Sequence, residues 1–273
     1  MCELAQKATV CMTKLSYECH MLGDSAIVIR LGADIDVSIL NRVRQLTAYL
    51  ENNRFEGFIE IVTAYTTITI YYDSFQVYNH YSEKGTTRKN GRASWTNTLL
   101  PFDIVLLHIL HLLDNYENEN EDDDIAPDRI IEIPVCYGED YGPDLADVAA
   151  YHHVSKKEIV NLHASQVYPV YMIGFAPGFP YLGGLNDKLA TPRKSVPRTR
   201  IPVGSVGIGG AQTGIYPFET PGGWNLIGRT PLALFRPESD PPSLLKVGDQ
   251  VRFVSITAEQ FQYEEERNRG NGL

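Results

Sequence analysis

The amino-acid sequence predicts an α+β protein of two domains, and three observations support this fold class. Strand patterns alternate with amphipathic helices in the first half of its 273 residues, and this length suffices for two modest domains. Eight acidic side chains fall within residues 114–128. From Gly174 to Arg236 short apolar pieces alternate with glycine and proline, which is typical of a compact β-barrel. We therefore expect domains at residues 15–113 and 129–257, joined by an acidic connector.

The N-terminal domain follows the element order β-α-β-β-α-β, which indicates a ferredoxin-like α/β sandwich. A strand is predicted at Ala26–Leu31. Apolar residues then recur at helical spacing, which predicts a helix, and Asp36 can cap its start. The elements that follow are two strands and two helical segments, at residues 57–64, 66–73, 74–81 and 95–113. The sequence "RIIEIPV", residues 129–135, supplies the last strand of this order. Because it also opens the second domain, its pairing with the N-terminal sheet stays open.

The connector, residues 114–128, is expected to be solvated and mobile, because its dense charge leaves little apolar surface to bury. It lacks the alternating ligands and the glycine of a calcium-binding loop. The cysteines have no spacing suited to zinc either, so we expect no metal site.

The second domain opens with two helices and a strand. "PDLADVAAYH" and "SKKEIVNLH" have helical patterns, and Ser155 with Glu158 can form a capping box at the second. "VYPVYMIG" is predicted to be a strand that leads to Gly174. The next stretch, "GFAPGFPYLGG", is too rich in proline and glycine for a helix and too apolar for a solvated loop. We expect a rigid loop with packed aromatic side chains at the mouth of the barrel.

Composition argues against several classes of protein. The net charge of −10 argues against a general nucleic-acid binder. The longest apolar run, Leu99–Leu113, is too short to cross a membrane, and the first residues form no secretion signal. The four cysteines show no paired spacing, which favours free thiols in a reducing cytoplasm.

A basic, glycine-rich block carries the strongest chemical signal. Between Lys188 and Arg236 there are seven cationic residues and a single acidic residue, Glu219. This excess favours a small anionic ligand, because arginine binds carboxylates and phosphates through paired donors. The glycines of residues 202–217 can let backbone N–H groups form an anion-binding nest, although barrel corners explain them as well. Walker, dinucleotide, serine-elbow and HExxH patterns are absent from the sequence.

Three side chains in and near this block have both a functional and a structural explanation. Trp224 follows two glycines and either walls a pocket or fills the core. His163 is the histidine best placed to face the block, as a catalytic group or as a structural one. Arg198, held between Pro197 and Pro202, is expected to supply a fixed charge opposite the glycine-rich segment. As a surface residue, its loss should change stability by less than about 0.5 kcal/mol.

Several segments together resemble the allophanate hydrolase subunit 1 family, in particular its 5-oxoprolinase subunits and its KipI-type kinase inhibitors. The segments are "VYMIGFAPGFPYLGGL", "TPRKSVPRTRIPVGSVGIGGAQTGIYPFETPGGWNLIGRTP", "LLKVGDQVRFV", "LGDSAIVIRLG" and "IEIPVCYGEDYGPDLADVA". The likeness extends from Tyr17 to Thr257 and is weakest from Lys84 to Asp128. It implies that the second domain is a cyclophilin-like β-barrel.

The resemblance also implies a function, partners and site residues. It implies a cytoplasmic subunit of an ATP-dependent enzyme that opens 5-oxo-L-proline to L-glutamate together with 5-oxoprolinase subunits A and C. ATP would be used by the assembled complex, since this chain has no nucleotide loop. The residues that the resemblance implicates are the catalytic candidates His163, Arg198 and Gln212, the substrate-binding candidates Arg193, Ser205, Thr213, Tyr216, Trp224 and Arg229, and the pocket-loop residues Gly174, Phe175, Pro177 and Gly178.

Two roles compete within this resemblance. The basic, glycine-rich block favours an enzyme subunit that handles a small carboxylate. The aromatic loop favours a regulatory binder that inhibits a sensor histidine kinase of sporulation. A subunit that acts on allophanate is less favoured, because the chain lacks an amidase signature. Neither leading role involves nucleic acid or a membrane.

Overall fold

The computed structural model describes residues 8–11, 16–85, 99–119 and 129–270, which belong to two compact units. The first unit is Met1–Ile125 and the second is Ala126–Leu273. A separate hydrophobic core lies in each unit. The expected α+β fold class, with a closed β-barrel in the second unit, is confirmed.

The described part of the first unit is an antiparallel sheet covered by helices. Its strands are β1 (Ala8–Cys11), β2 (Ser16–Met21), β3 (Ala26–Arg30), β4 (Phe58–Ala64) and β5 (Thr67–Tyr72). Its helices are α1 (Val37–Asn52), α2 (Ser74–Gly85) and α3 (Pro101–Glu119). The strand order is β1-β2-β3-β5-β4, and residues of the sheet and of all three helices share one core.

Helix α1 begins where the sequence predicts. Asp36 caps it, because its side chain accepts a hydrogen bond from the Ile39 backbone N–H at 3.0 Å. Full burial of an apolar side chain contributes roughly 1.5–3 kcal/mol, so the buried stripe of the helix holds it in the core. The stripe consists of Leu40, Val43, Leu46 and Leu50.

The strand that completes the first sheet differs from the prediction. The sequence predicts residues 129–135 as the last strand of the sandwich, whereas β2 lies beside β3 and pairs with it in antiparallel register. Strand β2 buries Tyr17 and Cys19, but the polar Glu18 and His20 between them obscure its apolar face in the sequence. The sheet is therefore completed from its N-terminal side, and residues 129–135, whose pairing the sequence left open, are not among its strands.

Helix α3 is longer than predicted at its C-terminal end. It runs to Glu119, so the first residues of the expected connector are helical. Tyr116 explains the extension, because its ring lies 5.1 Å from the Tyr49 ring and its hydroxyl donates to Gln45 Oε1 at 3.3 Å. Residues 95–98, expected to open this helix, and 120–128, the rest of the connector, lie outside the described residues.

Two expectations from composition can be compared with the described part of the chain. None of its helices has the length and hydrophobicity that crossing a bilayer requires. Cys19 and Cys136 are buried free thiols, while Cys2 lies outside the described residues.

The second unit is built on a closed barrel with the strand order β10-β11-β8-β7-β14-β6-β13, in which β13 pairs with β10. The barrel strands are β6 (Ile130–Tyr137), β7 (Val167–Ile173), β8 (Pro180–Leu182), β10 (Ser205–Gly209), β11 (Gln212–Ile215), β13 (Asn225–Arg229) and β14 (Gln250–Ser255). Two further strands, β9 (Arg198–Ile201) and β12 (Thr220–Gly222), pair with each other as a separate ribbon. The helices are α4 (Leu145–Tyr151), α5 (Lys156–Ala164) and α6 (Ala258–Gly270).

Strand β6 contains the residues that the sequence left open between the two domains. It pairs in parallel with β14 and in antiparallel register with β13. Ile133 and Val135 are fully buried in the barrel core. This burial, together with two strand neighbours, explains why β6 lies in the barrel.

Helices α4 and α5 form as predicted, and Ser155 caps α5 by accepting a hydrogen bond from the Glu158 backbone N–H at 3.1 Å. Helix α6 extends the unit past the predicted boundary at residue 257. Its Phe261 is buried and lies 4.6 Å, between ring centroids, from Tyr141. A single buried aromatic residue in an acidic helix gives little periodic signal, so the sequence pattern did not indicate α6.

Candidate functional site

An aromatic pocket lies where the β9–β12 ribbon meets the barrel. It has a volume of about 140 Å³, roughly the size that holds a single six-membered ring. Five aromatic rings line it, and the centroid of the Phe179 ring lies within 6 Å of the other four centroids, edge to face in each pair. The lining residues are Phe175, Phe179, Tyr181, Arg193, Tyr216, Pro221, Gly222, Gly223 and Trp224.

The glycine-rich strands make room for Trp224. A Cβ atom at Gly209 would lie 2.5 Å from the indole Nε1 atom, and one at Gly214 would lie 3.0 Å from the indole Cζ3 atom. Gly207 and Gly214 also face each other as register partners of β10 and β11. These contacts favour packing and barrel geometry as the reason for the glycines, the alternative to an anion-binding nest.

The loop that carries Phe175 has a strained backbone. The Ala176 N–H donates to the Gly174 carbonyl at 2.8 Å, which closes a γ-turn with Phe175 at φ +69°. Such a conformation costs a bulky residue on the order of 1–3 kcal/mol. The Phe175 side chain is nonetheless 63% exposed, with its ring edge-on to Tyr216. The turn therefore holds an exposed aromatic side chain at the mouth of the pocket, at a cost in stability.

Tyr216 forms part of the pocket wall as a neutral phenol. Burial raises its pKa to about 12, although the Trp224 backbone N–H and the charges of Arg193 and Arg198 act in the opposite direction. Because the Trp224 N–H donates to the phenol oxygen, the phenol keeps its own proton to donate to another group. A Cβ atom at Gly222 would lie 2.6 Å from this oxygen, so glycine is required beside it.

Most cations of the basic block are neutralised within the chain. Lys194 Nζ and Arg198 Nη2 each lie 2.7 Å from Asp144 Oδ1. Arg200 pairs with Glu219 at 2.6 Å, and Arg229 lies 3.8 Å from Glu265. Within the described ranges, Arg193 has no ion pair, and its guanidinium lies 5.7 Å from the Trp224 ring centroid. Arg193 is therefore the pocket's available positive charge.

Asp144 is a residue beside the pocket that the sequence patterns did not indicate. Its side chain is 3% exposed, and its Oδ2 accepts a hydrogen bond from the Leu226 N–H at 2.7 Å. Burial raises the pKa of Asp144, but hydrogen bonds from Arg198, Lys194 and Leu226 outweigh burial and hold it below its usual value. The signal was present in "YGPDLADVA", where an acidic residue follows Gly-Pro at a helix start.

His163 lies inside the barrel and not in the pocket lining. Its Nδ1 atom lies 2.8 Å from the Tyr137 hydroxyl and its Nε2 atom 2.9 Å from Thr213 Oγ1. The Thr213 hydroxyl donates to the Gly207 carbonyl at 3.1 Å, so Nε2 carries the imidazole proton. Burial lowers the His163 pKa to about 3, and the ring is a neutral, fully hydrogen-bonded part of the barrel interior.

The pocket brings some of the predicted site residues together and leaves others outside its lining. Phe175, Arg193, Tyr216 and Trp224 line it, and Gly174, Pro177 and Gly178 belong to the turn that carries Phe175. The predicted residues outside the lining are His163, Arg198, Ser205, Gln212, Thr213 and Arg229. Five further lining residues were not predicted, although all of them lie in the segments that carry the resemblance: Phe179, Tyr181, Pro221, Gly222 and Gly223.

Two further predicted residues hold the backbone near the barrel rim. Ser205 is buried, and its hydroxyl donates to the Pro202 carbonyl at 2.7 Å. Arg229 Nε donates to the Val203 carbonyl at 2.7 Å. In the described part of the chain, no cluster of His, Cys, Asp and Glu side chains could hold a metal ion.

Known proteins are similar to this chain in sequence. The family model of the carboxyltransferase domain, subdomain C and D, matches residues 17–245. The B subunit of the 5-oxoprolinase of Bacillus subtilis (strain 168) is 46% identical over 253 residues, which cover 92% of this chain and 98% of the relative. The B subunit of the 5-oxoprolinase of Escherichia coli O157:H7 is 40% identical over 237 residues, 86% of this chain and 94% of the relative.

Two solved structures resemble this chain in fold. The crystal structure of TTHA0988 matches with a TM-score of 0.66 at 31% identity over 85% of this chain, which spans 40% of that longer chain. The K. lactis urea amidolyase matches with a TM-score of 0.66 at 22% identity, over 97% of this chain and 16% of the enzyme, and shares the fold. The chain therefore belongs to the family of carboxyltransferase subdomains C and D, within which its curated relatives are the B subunits of 5-oxoprolinases.

Proposed function

We propose that this chain is a subunit of an ATP-dependent 5-oxoprolinase and that its aromatic pocket binds 5-oxo-L-proline. The pocket volume of about 140 Å³, with unpaired Arg193 at its edge, is the observation that carries the proposal. The substrate is a single five-membered ring with one carboxylate. The enzyme opens its ring amide to give L-glutamate.

The groups of the pocket match the three parts of this substrate. Aromatic walls suit the apolar edge of the ring. The Arg193 guanidinium suits the carboxylate, because paired donors make charge-assisted hydrogen bonds that contribute roughly 1.5–3 kcal/mol. The Tyr216 hydroxyl, which keeps its proton, suits the amide carbonyl oxygen as a hydrogen-bond donor.

ATP does not fit this pocket. Ligands much larger than one ring occupy sites of roughly 300–1,000 Å³, and the sequence contains no phosphate-binding Walker loop. We assign ATP to the partner subunits A and C, so no phosphoryl-transfer step is placed on residues of this chain. We accordingly expect a cytoplasmic complex in which this chain contributes substrate binding and shows no turnover alone.

Binding of 5-oxo-L-proline to the purified chain tests the proposal. Arg193→Ala should weaken binding about 10- to 150-fold, which is the effect of losing one charge-assisted hydrogen bond. Arg200→Ala is the matched control, because Arg200 lies on the ribbon that follows the Arg193 loop, pairs with Glu219 and is 76% exposed. Equal binding of 5-oxo-L-proline by the wild type and Arg193→Ala would contradict the assignment of this pocket as the substrate site.

Inhibition of a sporulation histidine kinase is a second candidate function. The exposed, strained Phe175 favours it, because strained residues cluster at binding and switch sites and aromatic side chains are enriched at protein interfaces. Val196, on the loop before the ribbon, is also highly exposed. An autophosphorylation assay with a sporulation sensor kinase decides, since the inhibitor role requires that Phe175→Ala inhibit at least tenfold less than the wild type.

A further inference from the structure

We propose that Asp144 is a positioning residue of the pocket: its buried carboxylate ties three pocket walls together and leaves Arg193 as the cation that faces a ligand. The part of this inference that concerns ligand affinity rests on the proposed function. The part that concerns the pocket walls rests on the contacts of Asp144 alone.

Asp144 connects parts of the chain that are distant in sequence. It precedes α4 and is bonded to the ribbon through Arg198 and to the adjoining loop through Lys194. It also pairs with Leu226 on β13 twice, since its backbone N–H donates to the Leu226 carbonyl at 2.9 Å and its side chain accepts from the Leu226 N–H. A carboxylate with three charged or polar donors at 2.7 Å holds all of them in fixed positions.

Each partner of Asp144 is a near neighbour of a lining residue. Lys194 follows Arg193, and its N–H donates to the Gly223 carbonyl at 2.7 Å. Arg198 is the register partner of Gly222 across the ribbon. Leu226 lies two residues after Trp224 on the same segment. The contacts of Asp144 therefore reach the arginine, the glycine wall and the tryptophan of the pocket.

The charge of Asp144 also decides which cation a ligand meets. The Asp144 carboxylate accepts hydrogen bonds from both Lys194 and Arg198, and Lys194 Nζ also lies 3.5 Å from Asp147 Oδ2. Neutralised in this way, the two cations do not compete with Arg193 for an anion. Without the carboxylate, both side chains would be released beside the pocket, and the walls that they hold would lose their anchor.

The test compares Asp144→Asn with Glu219→Gln, because each removes the carboxylate that pairs with an arginine of β9. Both substitutions are made in a Trp95→Phe background, which leaves Trp224 as the single tryptophan of the two in the sequence. Acrylamide quenching of Trp224 is measured without ligand, and 5-oxo-L-proline affinity is measured by titration, both well below the melting temperature of each variant.

Asp144→Asn should raise the Trp224 quenching constant at least twofold and weaken 5-oxo-L-proline binding at least tenfold, whereas Glu219→Gln should change both by less than twofold. A lowered melting temperature with both readouts within twofold of the wild type would make Asp144 a purely structural residue and overturn the inference. If Asp144→Asn does not fold, Lys194→Met removes one partner and should shift both readouts in the same direction. No shift in that variant would overturn the inference equally.

The two proposals fail separately in this experiment. A wild-type chain that does not bind 5-oxo-L-proline contradicts the proposed substrate, while ligand-free quenching still decides the role of Asp144. Unchanged quenching in Asp144→Asn, with wild-type binding intact, contradicts only the positioning role.

Discussion

At the scale of single residues, burial determines the chemistry of His163. The sequence indicates a histidine near the basic block, but it cannot indicate that Tyr137 and Thr213, distant along the chain, enclose the ring. With a pKa of about 3 in the folded protein, the imidazole stays neutral at physiological pH. A neutral ring with both nitrogens bonded stabilises the barrel interior.

The acid sensitivity of folding tests this account of His163. Its folded pKa of about 3 lies below the ordinary value of about 6.5 for an unfolded histidine. Its contribution to stability is therefore complete above pH 6.5 and is lost as pH falls towards 3, by about 1.4 kcal/mol per pH unit. Between about pH 6.5 and 5 the wild type should lose about 2 kcal/mol more unfolding free energy than His163→Gln, measured by urea denaturation. His153→Asn, at an exposed histidine with positive φ, should keep the wild-type slope.

Arg198 gives a second residue-scale correction. The sequence predicts that Arg198→Ala leaves stability nearly unchanged, but Arg198 pairs with the buried Asp144 and its own side chain is only 29% exposed. We expect Arg198→Ala to lower the free energy of unfolding by about 1–2 kcal/mol, because Lys194 remains to share the carboxylate. Arg200→Ala, at an exposed ion pair, should change it by less than about 0.5 kcal/mol. Equal melting curves for both variants would refute a structural role for the Arg198 pair.

At the scale of elements, the glycines of β10 and β11 determine where Trp224 lies. A methyl group at Gly209 would overlap the indole, since three of its atoms would be within 2.6 Å of the new Cβ. Gly209→Ala should therefore cost about 1–3 kcal/mol and displace Trp224, visible as a shift in its fluorescence. Gly210→Asn is the control at the adjacent turn, where a Cβ meets nothing within 4 Å and asparagine tolerates the positive φ. A stable Gly209→Ala variant with unchanged fluorescence would contradict this packing.

The sequence predicted some helices and strands correctly and others not. Strong local signals in the sequence predicted these features correctly: the Asp36 cap, the buried apolar stripe of α1 and the Ser155 cap are all present. Errors arose where neighbours distant in the chain decide the outcome. Strand β6 lies in the barrel because β13 and β14 flank it, and α3 continues because Tyr116 meets Tyr49.

The sequence predicted part of the candidate site. The segments that resemble the family contain Phe175, Arg193, Tyr216 and Trp224, which the pocket brings together. The sequence could not distinguish Arg193 from the other cations of the block. Ion pairs with Asp144, Glu219 and Glu265 set four of the other cations apart, and their positions only the folded chain defines. Lys188 and Arg236 differ from Arg193 because they lie outside the pocket lining.

At the scale of the whole molecule, the charge distribution is uneven: the chain is acidic, but it contains a local cationic site. The chain carries a net charge of −10, and intramolecular carboxylates pair with four of the seven cations of the basic block. Among the described residues, Arg193 is the cation of the block that lines the aromatic pocket, and its guanidinium forms no ion pair there. We therefore expect a small anion to bind at Arg193 and not across the basic block.

Reconstitution with 5-oxoprolinase subunits A and C tests that claim most directly. The measured quantity is 5-oxo-L-proline-dependent ATP hydrolysis by the complex containing wild-type chain, Arg193→Ala or Arg200→Ala. We predict turnover with the wild type and Arg200→Ala, a loss of about 10- to 150-fold in kcat/KM with Arg193→Ala, and none with the chain alone. Full activity of the Arg193→Ala complex, or robust hydrolysis by the isolated chain, would contradict the account.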